Sequence, residues 1–127
     1  MPARRRVDPA AGEQALAAWE AAQSGAAGGA PEVSRSQLAT AVRYLLEDLV
    51  ERAPGRSVEV RIPPYAAAQV VEGPRHTRGT PTNVVETDPQ TWLALATGRT
   101  TWAEATASGA VRASGQRADL TAYLPLR

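Results

Sequence analysis

The strongest periodicity in the chain lies between residues 34 and 53. Leu38, Ala41, Val42, Leu45, Leu46, Leu49 and Val50 form one broad apolar stripe at helical spacing, with Thr40, Arg43, Glu47 and Glu51 opposite. Ser34 and Gln37 supply a capping box at the start, Pro54-Gly55 a hard stop, and Asp48 and Arg52 a favourably ordered i,i+4 pair. The period then switches to two. Val58, Val60 and Ile62 alternate with Glu59 and Arg61, which predicts a half-buried strand from Ser57 to Ile62, so the helix is expected to cover a sheet. Pro63-Pro64 forces a turn, and Tyr65 to Val71 reads as the antiparallel partner, because so short a connection cannot support a parallel crossover. A third strand is expected from Thr82 to Thr87.

That strand feeds into Asp88, an N-cap followed by Pro89 at the first helical position, in a helix closed by Gly98. Thr101 with Glu104 opens a second short helix that Gly109 ends. Ala110 to Ser114 alternates, with Val111 and Ala113 on one side, and predicts a strand; Asp119 to Leu124 is expected as a short terminal helix. At the other end, Asp8 and Pro9 start a helix through about Gln23 whose only large apolar groups are Leu16 and Trp19, on one face. A helix so poor in bulk cannot stand alone in water and must dock, on its own chain or on a partner. SGAAGGA at 24–30 is a flexible linker by composition, which divides the chain into 1–30, a helix and linker, and 31–127, the main domain.

Composition narrows the function more than it names it. The 127 residues suit one domain, and with ten Leu, eleven Val, one Ile and no Phe its core must be modest. A net charge of +1 gives no field to recruit nucleic acid or an anionic membrane surface. All 14 basic residues are Arg, which reads as coding background rather than guanidinium chemistry. The absence of Cys excludes disulfides, thiol catalysis and Cys-ligated metal. No apolar run reaches the roughly 18 residues of a membrane span, and Arg4–Arg6 leads into no signal-peptide core, so a cytoplasmic protein without stable membrane insertion is expected.

Candidate chemistry is sparse. His76, the only histidine, sits beside Arg75 and Arg78, two cations that oppose both its protonation and metal binding. The same loop, with the backbone of Gly79, offers a weak anion site. Glu47, Asp48 and Glu51 read as solvated helix charges, and no GxSxG, GxGxxG or GxxxxGK[ST] motif is present. No catalytic residue, metal ligand or cofactor site is assigned. Trp92 and Trp102 either anchor their helices to the sheet or line an apolar cavity beneath them.

The order of elements, and the stretch TNVVETDPQTWLALATGRTTWAEATASGAVRASGQRADLTAYL, resemble the sterol carrier protein 2 family. The family's L-x-x-L-x-x-G pattern falls on Trp92, Leu95 and Gly98, its A-x-x-x-G on Ala105 and Gly109, and its G-x-[LV]-x-[VA]-x-G strand on Gly109, Val111, Ala113 and Gly115. The match covers roughly Pro31 to Arg127 and looks closest to compact bacterial members, found mainly in actinobacteria. A similar module ends the mycothiol-dependent maleylpyruvate isomerases, but residues 1–30 lack the histidines their metal-binding partner would bring. The resemblance implies an α+β fold: a five-stranded, mostly antiparallel sheet covered by helices, the fifth strand falling around Arg75 to Arg78. It also implies non-enzymatic binding of a fatty acyl chain, acyl-CoA or sterol-like lipid between sheet and helices. Placed on that plan, the lining is expected to comprise Leu45 and Leu49 of the long helix and Val60, Val70 and Val85 of the sheet. Trp92, Leu93 and Trp102 of the short helices complete it. Against this, animal members line their cavity with Phe and Met, whereas this chain has no Phe and only Met1, and it ends Leu126-Arg127 in place of a peroxisomal tripeptide. The alternative is a structural or protein-interaction module with a closed core.

Overall fold

A computed structural model describes residues 6–24, 32–74 and 83–127. In chain order these form α1 (Pro9–Gln23), α2 (Arg35–Arg52), β1 (Val58–Ile62), β2 (Ala66–Val70), β3 (Asn83–Thr87), α3 (Pro89–Ala96), α4 (Trp102–Ala107) and β4 (Val111–Ser114). The caps read from sequence set the helix starts. Asp8, Ser34, Asp88 and Thr101 are the N-caps, each accepting a backbone N–H from within the first turn, and Ser34 with Gln37 closes the reciprocal box. Gly98 and Gly109 follow the two short helices at φ of +79° and +81°, where a Cβ would be strained.

The strands form one sheet in the order β2-β1-β3-β4. β2 pairs antiparallel with β1 through the hairpin, in the register Ile62↔Ala66 and Val60↔Ala68, and β4 pairs antiparallel with β3. β3, however, runs parallel to β1, with Val60 opposite Val85. The expected five-stranded, mostly antiparallel sheet is therefore corrected to a four-stranded mixed one among the described residues. The physical reason is that β2, antiparallel to β1, ends beside the start of β1 with Val70 opposite Val58, so a strand that begins at that same end on the other side of β1 runs parallel to it. The stretch Arg75 to Arg78, where the fifth strand was placed, lies outside the described residues.

α2 lies over the sheet and buries Ala41, Val42, Leu45, Leu46 and Leu49 against Val58, Val60 and Ile62. α1 docks on this same chain, along α2: Leu16 and Trp19 enter the core, and the Trp19 indole donates to Gln90 Oε1 at 2.8 Å. The opposite sheet face is polar, with Arg61 paired to Glu59 (2.7 Å) and Arg112 to Glu86 (3.2 Å). Ser57 and Thr87, the two buried polar side chains of the described core, donate to the carbonyls of Val71 and Ala110 at 2.7 and 2.8 Å.

Two further expectations change. Ala113 is exposed and only Val111 of β4 is buried, because β4 lies at the sheet's edge. Asp119 to Leu124 forms turns instead of a helix. The Asp119 carboxylate takes both the N–H and the hydroxyl of Thr121, closing a local turn, and Pro125 leaves no room for a second helical turn. The tail then runs back to α3, where Leu126 N donates to Ala96 O at 2.8 Å and the Leu126 side chain is buried.

Candidate functional site

The expected lining is the place to begin. Leu45, Leu49, Val60, Val70 and Leu93 are 0% exposed, and Val85 and Trp92 1%, all within one continuous core. The Trp92 indole N–H is also satisfied, by Val42 O at 3.2 Å, which fixes α3 against α2. Trp102 is partly buried against the edge of the same core. Fold and packing bring these eight residues together, but none of them lines either of two hollows at the surface of the domain.

The more apolar hollow lies one step outward, between α2 and the β2 edge. Its volume is about 480 Å³, and it is open on one side. Arg43, Leu46, Glu47 and Val50 line it from α2, at the i, i+3, i+4 and i+7 positions of a single stripe. Tyr65, Ala66, Ala67 and Ala68 line it from the hairpin, and Arg6 and Val7 from the segment before α1. The space follows from the sequence. On β1 the inward positions carry Val60 and Ile62; their partners on β2 are Ala68 and Ala66, too short to fill the layer beneath α2. Leu46 and Val50 belong to the helix stripe but did not stand out from it as a site. The available signal was the Ala66-Ala67-Ala68 run, whose side chains are short beside those of Val60 and Ile62 in the preceding strand.

Polar groups sit at the rim. Arg43 Nε donates to Tyr65 O at 3.0 Å, which ties the guanidinium to the hairpin. The Glu47 carboxylate accepts the backbone N–H groups of Arg6 and Val7, each at 2.9 Å for its shorter contact, and so holds the segment that leads into α1.

The second hollow, about 520 Å³, is lined by polar groups that already have partners. Asp88 caps α3, Glu86 meets Arg112, and Thr87 donates to Ala110 O. No group of three or more His, Cys, Asp or Glu able to hold a metal occurs among the described residues. His76, Arg75, Arg78 and Gly79 lie outside them, and the anion site placed there with them.

The densest charged cluster is a clasp on α1. Arg127 donates through Nη1 to Glu13 Oε1 at 2.9 Å and through Nη2 to Glu13 Oε2; the Tyr44 hydroxyl donates to Glu13 Oε2 as well. Asp48 lies 3.9 Å from the same guanidinium, which also stacks over the Tyr44 ring at 5.5 Å. Hydrogen bonds from Arg127 and then Tyr44 hold the Glu13 carboxyl below its ordinary 4.5, and the bond to Glu13 raises the Tyr44 phenol. All three groups serve one another, so the clasp joins the first helix to the last residue.

These features define a small α+β domain whose helix-covered mixed sheet leaves an apolar hollow at its edge. A family model described as bacterial SCP ortholog matches residues 34–126, from the α2 cap almost to the end, and the chain belongs to this bacterial sterol carrier protein-like family. No curated protein matches the chain. α1 lies before the matched residues. No helix among the described residues is long and apolar enough to cross a membrane.

Proposed function

We propose that the protein is a non-enzymatic cytoplasmic carrier that holds an apolar small molecule, a fatty acyl chain, acyl-CoA or sterol-like lipid, between its sheet and its helices. The observation that carries this is the α2–β2 hollow. At about 480 Å³ it falls within the range of roughly 300–1,000 Å³ typical of small-molecule sites. Its walls are apolar, its rim carries charge, and it belongs to a chain of the sterol carrier type. Leu45, Leu49, Val60 and Val70 form the packed layer beside it, and Val85, Trp92, Leu93 and Trp102 continue that layer, so a bound chain reaches them only by parting the core.

The test is a titration of delipidated protein with a fluorescent fatty acid, repeated on Ala68→Phe, which fills the hollow. Saturable micromolar binding, weakened at least about tenfold by the substitution, is the expected result. Binding that stays non-saturable at micromolar ligand would remove the reading.

A second reading is favoured by the near-zero exposure of seven of the eight expected lining residues. In it the core is closed and the domain is a structural or protein-interaction module, akin to the C-terminal module of mycothiol-dependent maleylpyruvate isomerases. That reading gains if the titration fails with the fold intact.

A further inference from the structure

We infer that the α2–β2 hollow selects a single-chain amphiphile with one carboxylate head, and that Arg43 is the residue that makes the selection. This rests on the carrier reading of the same hollow and narrows it. Three observations bear on it. First, the hollow is amphiphilic by construction: Val7, Leu46, Val50, Ala66 and Ala68 supply apolar wall, while the charged side chains lie among the same lining residues. Second, among the described residues Arg43 donates through Nε alone, to Tyr65 O at 3.0 Å. That bond fixes the guanidinium and leaves its terminal Nη donors, whose spacing matches the two oxygens of a carboxylate. Third, the charges of the lining are Arg6 and Arg43 against Glu47, one net positive charge, with the Glu47 carboxylate taken up by the amides of Arg6 and Val7. A monoanion balances that charge; a dianionic phosphate exceeds it, and a neutral alcohol or sterol leaves it unmet.

The arrangement assigns the two halves of the ligand separately. The chain lies along the alanine face of β2 and gains affinity by burial; the head meets Arg43 and gains selectivity. Replacing Arg43 therefore acts on the acid and spares the neutral analogue of equal chain length.

The experiment is isothermal titration of the full, delipidated chain with dodecanoate, dodecanol and dodecyl phosphate below their aggregation limits, in wild type, Arg43→Gln and Arg43→Lys. Dodecanoate is expected to bind wild type about tenfold more tightly than dodecanol. Arg43→Gln should lower dodecanoate affinity by about the same factor and leave dodecanol within about twofold, with Arg43→Lys in between because the charge remains but the fork is lost. Raising salt should weaken the acid and not the alcohol in wild type, a readout that needs no variant. Equal affinities for acid and alcohol, or a preference that survives Arg43→Gln, would overturn the inference while leaving the carrier reading intact. Tighter binding of dodecyl phosphate would overturn the carboxylate assignment, and failure of all three ligands would overturn the carrier reading with it.

Discussion

Gly12 lets α1 pack tightly against Tyr44 of α2. A Cβ there would lie 2.3 Å from Cγ and Cδ1 of Tyr44, whose ring is buried and whose hydroxyl is bonded to Glu13. The ring cannot turn away without giving up that bond, so Gly12→Ala should destabilise the protein by about 1–3 kcal/mol, the range of overpacked cores. Urea denaturation followed by tryptophan fluorescence reads this directly, and a cost under about 0.5 kcal/mol would mean that the ring yields freely. Ala68 presents the opposite case. Its side chain faces empty volume opposite Val60, and valine suits a strand better than alanine. Ala68→Val should therefore raise stability by about 0.5–1 kcal/mol in the same assay, while reducing the space for a ligand. A loss of stability would mean that the hollow is narrower at Ala68 than its lining implies.

At the scale of elements, α1 is held by few large side chains. Ala15, Leu16 and Trp19 enter the core, and polar contacts complete the attachment: Glu47 at its start, the Glu13–Tyr44–Arg127 clasp in the middle, and Gln90 with Arg99 around Trp19 at its end. The clasp makes its docking depend on pH. Because the folded Glu13 pKa is depressed, its contribution is fully present above the unfolded value of 4.5 and is lost as pH falls through the lower folded value. Tyr44 works at the other end: its raised pKa gives a contribution that is complete below 10.0 and lost as pH rises through the folded value. Glu13→Gln should thus speed hydrogen exchange of the α1 amides at pH 7, with α2 unaffected, and the gap from wild type should close in acid. A gap that persists below the folded Glu13 pKa would mean that the side chain acts by packing rather than by charge. The caps and stops of the helices were legible because they are local: Asp8, Ser34, Asp88 and Thr101 each bind the turn that follows them. The terminal helix expected at Asp119 was not, because the same residue type that caps a helix also closes a turn, and Pro125 lies too near for the helix to win.

For the whole molecule, the apolar pattern was enough to place the large side chains of α1, α2 and β1 in the core but not to say what the core encloses. Alternation along β1 fixes which of its side chains point inward; it does not fix that β3 runs parallel to it, a pairing between distant segments. Nor does it reveal a hollow, which arises only when Ala66 and Ala68 meet Ile62 and Val60 across the hairpin beneath α2. The family plan points to Leu45 and Leu49, which are sealed in the core, whereas Leu46 and Val50, one position on in each case, line the edge hollow. The difference can be measured. Leu49→Ala removes a fully buried side chain and should cost about 2–5 kcal/mol, the range for such truncations in packed cores. If ligands occupy the edge hollow, the variant should still bind dodecanoate within about twofold of wild type under conditions where it remains folded, whereas Val50→Glu, at the wall itself, should weaken binding with less effect on stability. The reverse pattern, with affinity lost at Leu49 and kept at Val50, would move the ligand from the edge into the centre, and would require the core around Trp92 to open when the ligand enters.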